Sequence, residues 1–480
     1  MGLKSSGMGL KSAGNYGAKK VLLDKFASST RTFPTLELAR RGMNADRDRT
    51  LVVCDGNVMM MQTPSDIDTL GKFVGSMVSQ IQLAINAGKH VVVVFDEPEN
   101  ITRAKREEQN ARDARRTVRT PVCSVDLVVC PRTDAYDRAA LDDPGLNARL
   151  LMDHRAARSR FFDAVCVDVL AHFLENMPST EGWSVTFDGI DARGARRSPE
   201  APRAPGIMSS HPDPWHEILK RATPIGEGDL KLPDVCHLVA RWRRKHHSLE
   251  KKHRPEATDI VLNMLWTIDT DSFCIELVEQ SRRQWEHAKA VEGPDECDTT
   301  LLCLREPSRK RKGDSFVTPS RFQCIDMESF HTNVVAYLFG AGSVPEDNDP
   351  LVRAATLLFA VALALCGCDF VEVQGLRADL VMPAVRDVVR RFPDQLMEML
   401  AVLSGDAQRT LLARSAVSRV VESYIEHLHN DSSALSVRRR DQASKVNDLQ
   451  LLRAVWLGSY WSGNEFKDTH AWGFASTAMD

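Results

Sequence analysis

Four short strand-like runs, three of them mostly apolar, limit most strongly how this chain can fold. They occupy residues 50–54, 91–95, 183–187 and 260–268, and helix-like segments such as 68–86 separate them. A run that is apolar at nearly every position predicts a strand buried on both faces, because a half-exposed strand alternates apolar and polar residues. Strands of this kind alternating with helices predict an α/β fold, a parallel twisted sheet flanked by helices.

Acidic residues follow the first, second and fourth of these runs. Asp55 follows the first run, Asp96 the second, and the pair Asp269 and Asp271 the fourth. Parallel sheets bind ligands at the carboxyl ends of their strands, which is where these side chains are expected. Carboxylates at the end of a buried strand are costly unless a cation meets them, and hard divalent ions such as Mg²⁺ prefer oxygen ligands.

Three further acids extend this series. Glu227 and Asp229 stand in a Gly-Glu-Gly-Asp motif, and Asp369 stands in Gly-Cys-Asp-Phe. Any single aspartate after a strand is more often a helix N-cap than a metal ligand. The series as a whole favours a site for phosphodiester hydrolysis, in which two divalent ions about 4 Å apart activate water and relieve charge on the leaving oxygen.

A basic segment follows Asp96. Residues 100–119 carry seven basic and three acidic side chains on a strongly helix-forming background. One interpretation is a solvated amphipathic helix; the other is a cationic helix that gathers phosphates beside the metals. The candidates for phosphate contact are Arg103, Lys105, Arg106, Arg112, Arg115 and Arg116.

Composition narrows the class of protein. The net charge of −3 excludes a polycation, so a nucleic-acid contact has to use local basic patches. Eleven cysteines in 480 residues are too sparse for a disulfide scaffold. No secretory signal is recognised at the N-terminus. Together these features predict an intracellular protein, either nuclear or cytoplasmic. The longest apolar stretch, 354–368, is shorter than the ~20 residues of a membrane span, so we expect a buried helix and no membrane partner.

The order of these motifs resembles the 5′-nuclease superfamily, which includes flap endonucleases, XPG-type repair nucleases and 5′→3′ exoribonucleases on a PIN-like α/β core. The matching segments are Leu51–Asn57, Val93–Pro98, Ile225–Leu232, Thr267–Phe273 and Leu363–Phe370. The resemblance implies a Mg²⁺-dependent (or Mn²⁺-dependent) nuclease with two ions, acting on DNA or RNA with a 5′ end or flap.

The resemblance also implies roles for particular residues. It assigns Arg103, with Arg112 as second choice, to the scissile phosphate, and Gly375 to backbone contact in a helix–hairpin–helix-like segment near 366–390. The implied metal ligands are Asp55, Asp96, Glu227, Asp229, Asp269, Asp271 and Asp369. Glu256 and Asp259 compete with Glu227 and Asp229 for the same position in the motif order.

The expected organisation is a flexible segment 1–48, a PIN-like nuclease core 49–290 with an insertion around 121–219, a linker or loop 291–325, and a helical region 326–480. The linker carries Arg309–Lys312, which is either a nuclear-localisation-like cluster or a solvated charge run. The choice of DNA or RNA, and of endo- or exonuclease action, stays open. A catalytically inactive nucleic-acid-binding or interaction scaffold is the alternative function.

Overall fold

The structure is a computed structural model. It describes residues 18–61, 70–94, 183–187, 206–209, 231–233, 235–240, 260–268, 272–289, 299–306, 309–310, 317–318, 320–340, 342–346, 349–364, 366, 378–402, 419–420, 422–424 and 426–427. The chain divides into two compact units. We call residues 32–268 and 298–324 the sheet unit, and residues 1–31, 269–297 and 325–480 the helical unit.

Within the described residues, eight strands form one sheet. They are β1 (Thr30–Phe33), β2 (Thr50–Asp55), β3 (His90–Val94), β4 (Ser184–Phe187), β5 (Gly206–Ser209), β6 (Leu262–Thr267), β7 (Thr299–Glu306) and β10 (Arg321–Asp326). Their order across the sheet is β1-β10-β7-β6-β2-β3-β4-β5. The short strands β8 (Arg309–Lys310) and β9 (Val317–Thr318) pair with each other, antiparallel.

Helices make up most of the remaining described elements. They are α1 (Ala18–Lys25), α2 (Leu36–Gly42), α3 (Gly56–Met61), α4 (Leu70–Ala87), α5 (Ser272–Lys289), α6 (Met327–Phe339), α7 (Pro350–Ala364), α8 (Ala378–Arg391) and α9 (Pro393–Val402). Residues 231–233 and 235–240 are also helical. The structure is therefore mixed α/β, with a mostly parallel sheet and helices, as the apolar runs predict.

The five neighbouring strands β7-β6-β2-β3-β4 all run parallel. Within this parallel set, the chain begins at the central strand β2, adds β3 and then β4 on one side, and later adds β6 and β7 on the other side of β2. The side on which successive strands are added therefore reverses between β2 and β6. The four strands predicted from the apolar runs are confirmed as β2, β3, β4 and β6.

One face of the sheet packs against α4. Alternate residues of the central strands, such as Val52, Cys54 and Trp266, share a buried core with Met77 and Ile81 of α4. The spacing of buried residues along α4 is that of an amphipathic helix. Because side chains alternate along a strand, Asp55 points to the opposite face from Cys54.

Two predicted boundaries are wrong. Residues 291–325 are not a linker throughout, because β7 and β10 within them are strands of the sheet, with buried Leu302, Cys303 and Phe322. The segment 1–48 is not flexible throughout either, since Leu22, Phe26 and other side chains of residues 18–48 are buried. Burial of these apolar side chains holds both segments in the fold despite their polar flanks.

The predicted core and insertion also change. Helix α5 belongs to the helical unit, although the sequence assigns it to the core 49–290. Within the predicted insertion 121–219, β4 and β5 complete one side of the sheet as an antiparallel pair. The rest of that insertion lies outside the described residues.

Aromatic rings organise the core of the helical unit. Phe26 packs edge-on against Phe330 and Phe359, with ring centroids 5.2 and 6.5 Å away. Helix α7 is buried along most of its length, which confirms the buried helix predicted for this stretch. None of the described helices is long and apolar enough to cross a membrane.

Gly88 lets the end of α4 approach the central strand. A methyl group there would lie 2.7 Å from the Thr50 carbonyl oxygen and 2.8 Å from Val52 Cγ2. We expect Gly88→Ala to lower the free energy of unfolding by roughly 1–3 kcal/mol, measured by urea denaturation, because the clash falls on backbone. Gly342→Ala is the control, since a methyl group there meets no atom within 4 Å. Equal effects of the two substitutions would contradict the expectation.

Candidate metal centre

Asp55 is the last residue of the central strand β2 and lies directly before α3. Its side chain is 5% exposed, and its Oδ1 accepts a hydrogen bond of 3.1 Å from the backbone N–H of Val58. The N-cap interpretation is therefore confirmed for this aspartate. A carboxylate has several acceptor positions, so a cap is compatible with a role as metal ligand.

The strands on either side of β2 end at the same level as Asp55. Asp55 pairs with Val94 of β3, and Cys54 pairs with Trp266, so Thr267 of β6 is level with Asp55. The chain continues beyond β3 to Asp96 and beyond β6 to Asp269, each two residues after the residue level with Asp55. The carboxyl edge of the sheet at β3, β2 and β6 is therefore where three acid-bearing segments begin. We call it the acidic edge.

Asp55 is the one predicted site residue that falls within the described residues. The others lie outside them: Asp96, Arg103, Lys105, Arg106, Arg112, Arg115, Arg116, Glu227, Asp229, Asp269, Asp271, Asp369 and Gly375. In the described part of the chain, no group of three or more His, Cys, Asp or Glu side chains is arranged to hold a metal ion.

Buried cysteines near the acidic edge are protonated. Burial, and then the negative charge of Asp55, raise the pKa of the Cys54 thiol well above its ordinary value. Burial and contact with Cys324, whose Sγ lies 3.6 Å away, raise the pKa of Cys303 in the same way. Cys54 packs in the core beneath α4, on the opposite face from Asp55, so its thiol is not a candidate ligand at the acidic edge.

A polar bridge that sequence reasoning missed joins α3 to β7. The side-chain amide of Gln80 donates from Nε2 to the carbonyl oxygen of Met59 at 3.0 Å, and its Oε1 accepts from Nη1 of Arg305 at 2.9 Å. The guanidinium of Arg305 lies 5.5 Å from the ring centroid of Trp266 and 6.0 Å from that of Phe322. Gln80 and Arg305 are 225 residues apart, so no local motif could reveal their contact.

Burial lowers the pKa of Arg305 from its ordinary value. An arginine nevertheless keeps its proton in proteins, so a cation stands at the end of β7, two strands away from Asp55. With strands about 4.8 Å apart, the backbone of β7 lies roughly 10 Å from that of β2.

Asn263 is a buried polar residue that does not belong to the acidic edge. It lies four residues before Thr267, or about 13 Å from the end of β6. Its side chain is 1% exposed, and neither Nδ2 nor Oδ1 has a hydrogen-bond partner among the described residues.

We expect Asn263→Val to raise the free energy of unfolding by about 1–2 kcal/mol, because it removes two buried polar groups that lack partners. Chemical denaturation of the two proteins measures the difference. Asn333→Val is the contrast, because Nδ2 of Asn333 donates to Ser29 Oγ at 2.7 Å, and its loss should destabilise. A destabilised Asn263→Val protein would show that the amide is satisfied after all.

No protein-family model matches the sequence, and a search of curated proteins finds no match either.

Proposed function

We propose that this protein is a metal-dependent nuclease of the 5′-nuclease type, with a PIN-like core, that hydrolyses phosphodiester bonds in DNA or RNA. The observation that carries the proposal is the position of Asp55, a buried carboxylate at the carboxyl end of the central parallel strand. The flanking strands lead directly into the segments that contain Asp96, Asp269 and Asp271.

The strand order supports a ligand site at this edge. Open parallel sheets bind ligands in the crevice where the order of strand building reverses, outside the carboxyl ends. In this sheet the reversal falls between β2 and β6. Asp55 ends β2 on one side of that crevice, and the segment carrying Asp269 and Asp271 follows β6 on the other side.

The strand register supports convergence of the acids. Residues level with each other in a parallel sheet point to the same face, and the pattern repeats every second residue. Asp55, Val94 and Thr267 are level, and Asp96 and Asp269 each follow by two residues.

The donor set fits Mg²⁺ or Mn²⁺. The proposed ligands are all carboxylates, and hard divalent ions prefer oxygen ligands of this kind. Asp55 and the aspartates after β3 and β6 would hold the ions, with Glu227, Asp229 and Asp369 as the further proposed ligands. When bound, the ions supply an activated water and stabilise charge on the leaving oxygen.

The residues around the ions have separate proposed tasks. The hydrogen bond from the Val58 N–H orients the Asp55 carboxylate. Arg103, or Arg112, contacts the scissile phosphate, and the other basic side chains of 100–119 attract the nucleic-acid backbone. A cationic segment next to the acidic edge also offsets repulsion between the substrate phosphates and the carboxylates.

Cleavage of labelled substrates tests the function. The full chain is incubated with 5′-labelled flap DNA, duplex DNA and single-stranded RNA, side by side, in Mg²⁺ and in excess EDTA. We expect cleavage of at least one substrate in Mg²⁺, and none in EDTA. Binding of these substrates without any cleavage would instead support the alternative of an inactive scaffold, and neither binding nor cleavage would exclude both.

A further inference from the structure

We infer that Gln80 and Arg305 are positioning residues for the metal carboxylate Asp55, acting through the short helix α3. This inference rests on the proposed function, because it assigns the two residues a task at the proposed metal centre. It concerns side chains outside the acidic series that the sequence singles out. Arg305 of β7 donates a hydrogen bond to Gln80 of α4, and Gln80 donates one to the Met59 carbonyl of α3. The N–H of Val58, also in α3, donates to the Asp55 carboxylate.

Helix α3 needs support from outside because it has six residues. A helix leaves its last four carbonyl groups without partners of its own, and so short a helix is unstable alone. Met59 is one of these last four residues, and the Gln80 amide donates to its carbonyl oxygen. The bond therefore holds α3 in place one residue beyond Val58, whose N–H orients Asp55.

The orientation of the Gln80 amide is fixed at both ends. Its Nε2 faces a carbonyl oxygen, which only accepts, and its Oε1 faces a guanidinium, which only donates. Turning the amide over would place oxygen against oxygen and N–H against N–H. Gln80 is 4% exposed, so water does not readily replace either bond.

Arg305 is in turn held against the rings of Trp266 and Phe322. Trp266 belongs to β6 and pairs with Cys54, the neighbour of Asp55. One of the two rings that hold the arginine therefore belongs to a strand of the acidic edge, and the other belongs to β10. Loss of a contact made directly to a metal ligand commonly weakens metal affinity by about 10–100-fold, and Gln80 and Arg305 act further out, through α3, so we expect the lower end of that range.

The test is the calorimetric Kd for Mn²⁺, measured on the full chain for the parent, Gln80→Met and Gln80→Glu. We expect both variants to bind Mn²⁺ about 10-fold more weakly. Gln80→Met removes both hydrogen bonds. Gln80→Glu keeps the acceptor for Arg305, but it removes the donor to Met59 and thereby isolates the contact with α3.

Matched controls separate positioning from general stability. Gln82→Met makes the same substitution on the same helix at a residue that bonds Asn86, and we expect it to bind Mn²⁺ like the parent. Arg305→Met should weaken binding as the Gln80 variants do, and Arg305→Lys, which keeps a donor, should recover part of the loss. In cleavage assays of the Gln80 and Arg305 variants, the Mn²⁺ concentration that gives half the maximal rate should rise, while KM for nucleic acid stays unchanged.

The outcomes distinguish this inference from the proposed function. If the parent binds no Mn²⁺, the proposed function falls, and the inference falls with it. If the parent binds Mn²⁺, Asp55→Asn does not, and the Gln80 variants bind like the parent, then only the positioning role is overturned. Weaker Mn²⁺ binding by Gln82→Met, to the same degree as Gln80→Met, would also overturn it.

Discussion

Asp55→Asn should lower the rate of cleavage at saturating Mg²⁺ by roughly 10³-fold or more, which corresponds to a loss of at least about 4 kcal/mol of transition-state stabilisation. Asparagine caps helices as well as aspartate does, so the hydrogen bond from Val58 N–H is kept. The substitution therefore removes the charge of a proposed metal ligand and leaves the local fold in place. Single-turnover kinetics on the best substrate measure the rate.

The chain offers a closely matched control. Asp326 also ends a strand, β10, and its Oδ1 accepts a hydrogen bond of 3.2 Å from the Ser329 N–H at the start of α6. It has the same local structure as Asp55 but ends a strand outside the parallel set β7-β6-β2-β3-β4. We expect Asp326→Asn to cleave like the parent. If Asp55→Asn also cleaves like the parent, Asp55 is a helix cap and not a metal ligand.

Asp271→Ala should have an effect as large as Asp55→Asn, because Asp271 is one of the proposed ligands after β6. Purified Asp271→Ala that cuts DNA and RNA as fast as the parent would remove the segment after β6 from the proposed site.

Arg283→Met should destabilise the helical unit by roughly 3–5 kcal/mol at pH 8, because it leaves a buried carboxylate without its charged partner. Arg283 and Glu276 lie on α5, are 6% and 1% exposed, and form an ion pair with 3.2 Å between Nη2 and Oε2. Burial raises the pKa of Glu276 to about 7, while the charge of Arg283 lowers it and that of Glu279 raises it. Urea denaturation followed by circular dichroism measures the effect.

The raised pKa of Glu276 also determines how the cost of Arg283→Met changes with pH. The Glu276 carboxyl binds its proton more tightly in the folded state, so its contribution to stability is fully present below its ordinary pKa of 4.5 and is lost as the pH rises through about 7. A shift of this size corresponds to about 3 kcal/mol. Arg283→Met should therefore cost less at pH 5 than at pH 8.

Glu276→Gln is the informative partner variant. It removes the titrating group, so the free energy of unfolding should change less between pH 5 and pH 8 than in the parent. It also removes the carboxylate that Arg283→Met leaves unpaired, so the double variant should be more stable than Arg283→Met at pH 8. A parent that becomes more stable between pH 5 and pH 7 would contradict the raised pKa of Glu276, unless Glu276→Gln shows the same rise.

The central strands could be predicted because burial on both faces leaves a direct trace in the sequence. Most residues of β2, β3 and β6 are apolar, and the runs are too short for typical helices. The outermost strand β1 and its neighbour β10 leave a weaker trace. β1 reads Thr-Arg-Thr-Phe with two exposed residues, and β10 mixes exposed and buried positions.

The missed strand β7 has a different cause. Its buried residues Leu301, Leu302 and Leu304 stand between polar flanks and a run of Arg and Lys, and the charged flanks predicted a loop. Burial of the leucines in the sheet outweighs the polarity of the neighbouring chain.

The candidate site likewise contains one residue that a local sequence pattern predicts and two that it does not. Asp55 could be named because an acid after a buried strand is a local pattern, and the strand register brings the segments after β3 and β6 to the same edge. Gln80 and Arg305 could not be named, because their relation exists only once α3, α4 and β7 have packed together. A glutamine within a helix and an arginine at the end of a strand carry no signal alone.

The most direct test of a metal centre at the acidic edge is an electron paramagnetic resonance titration with Mn²⁺, comparing the metal-free parent with Asp55→Asn and Asp326→Asn. A centre with two ions about 4 Å apart predicts that the parent binds two Mn²⁺ ions with spin-coupled signals. Asp55→Asn should lose at least one ion and the coupling, whereas Asp326→Asn should match the parent. A parent that binds no Mn²⁺ at millimolar concentration, or an Asp55→Asn protein with the parent's spectrum, would contradict the proposed metal centre.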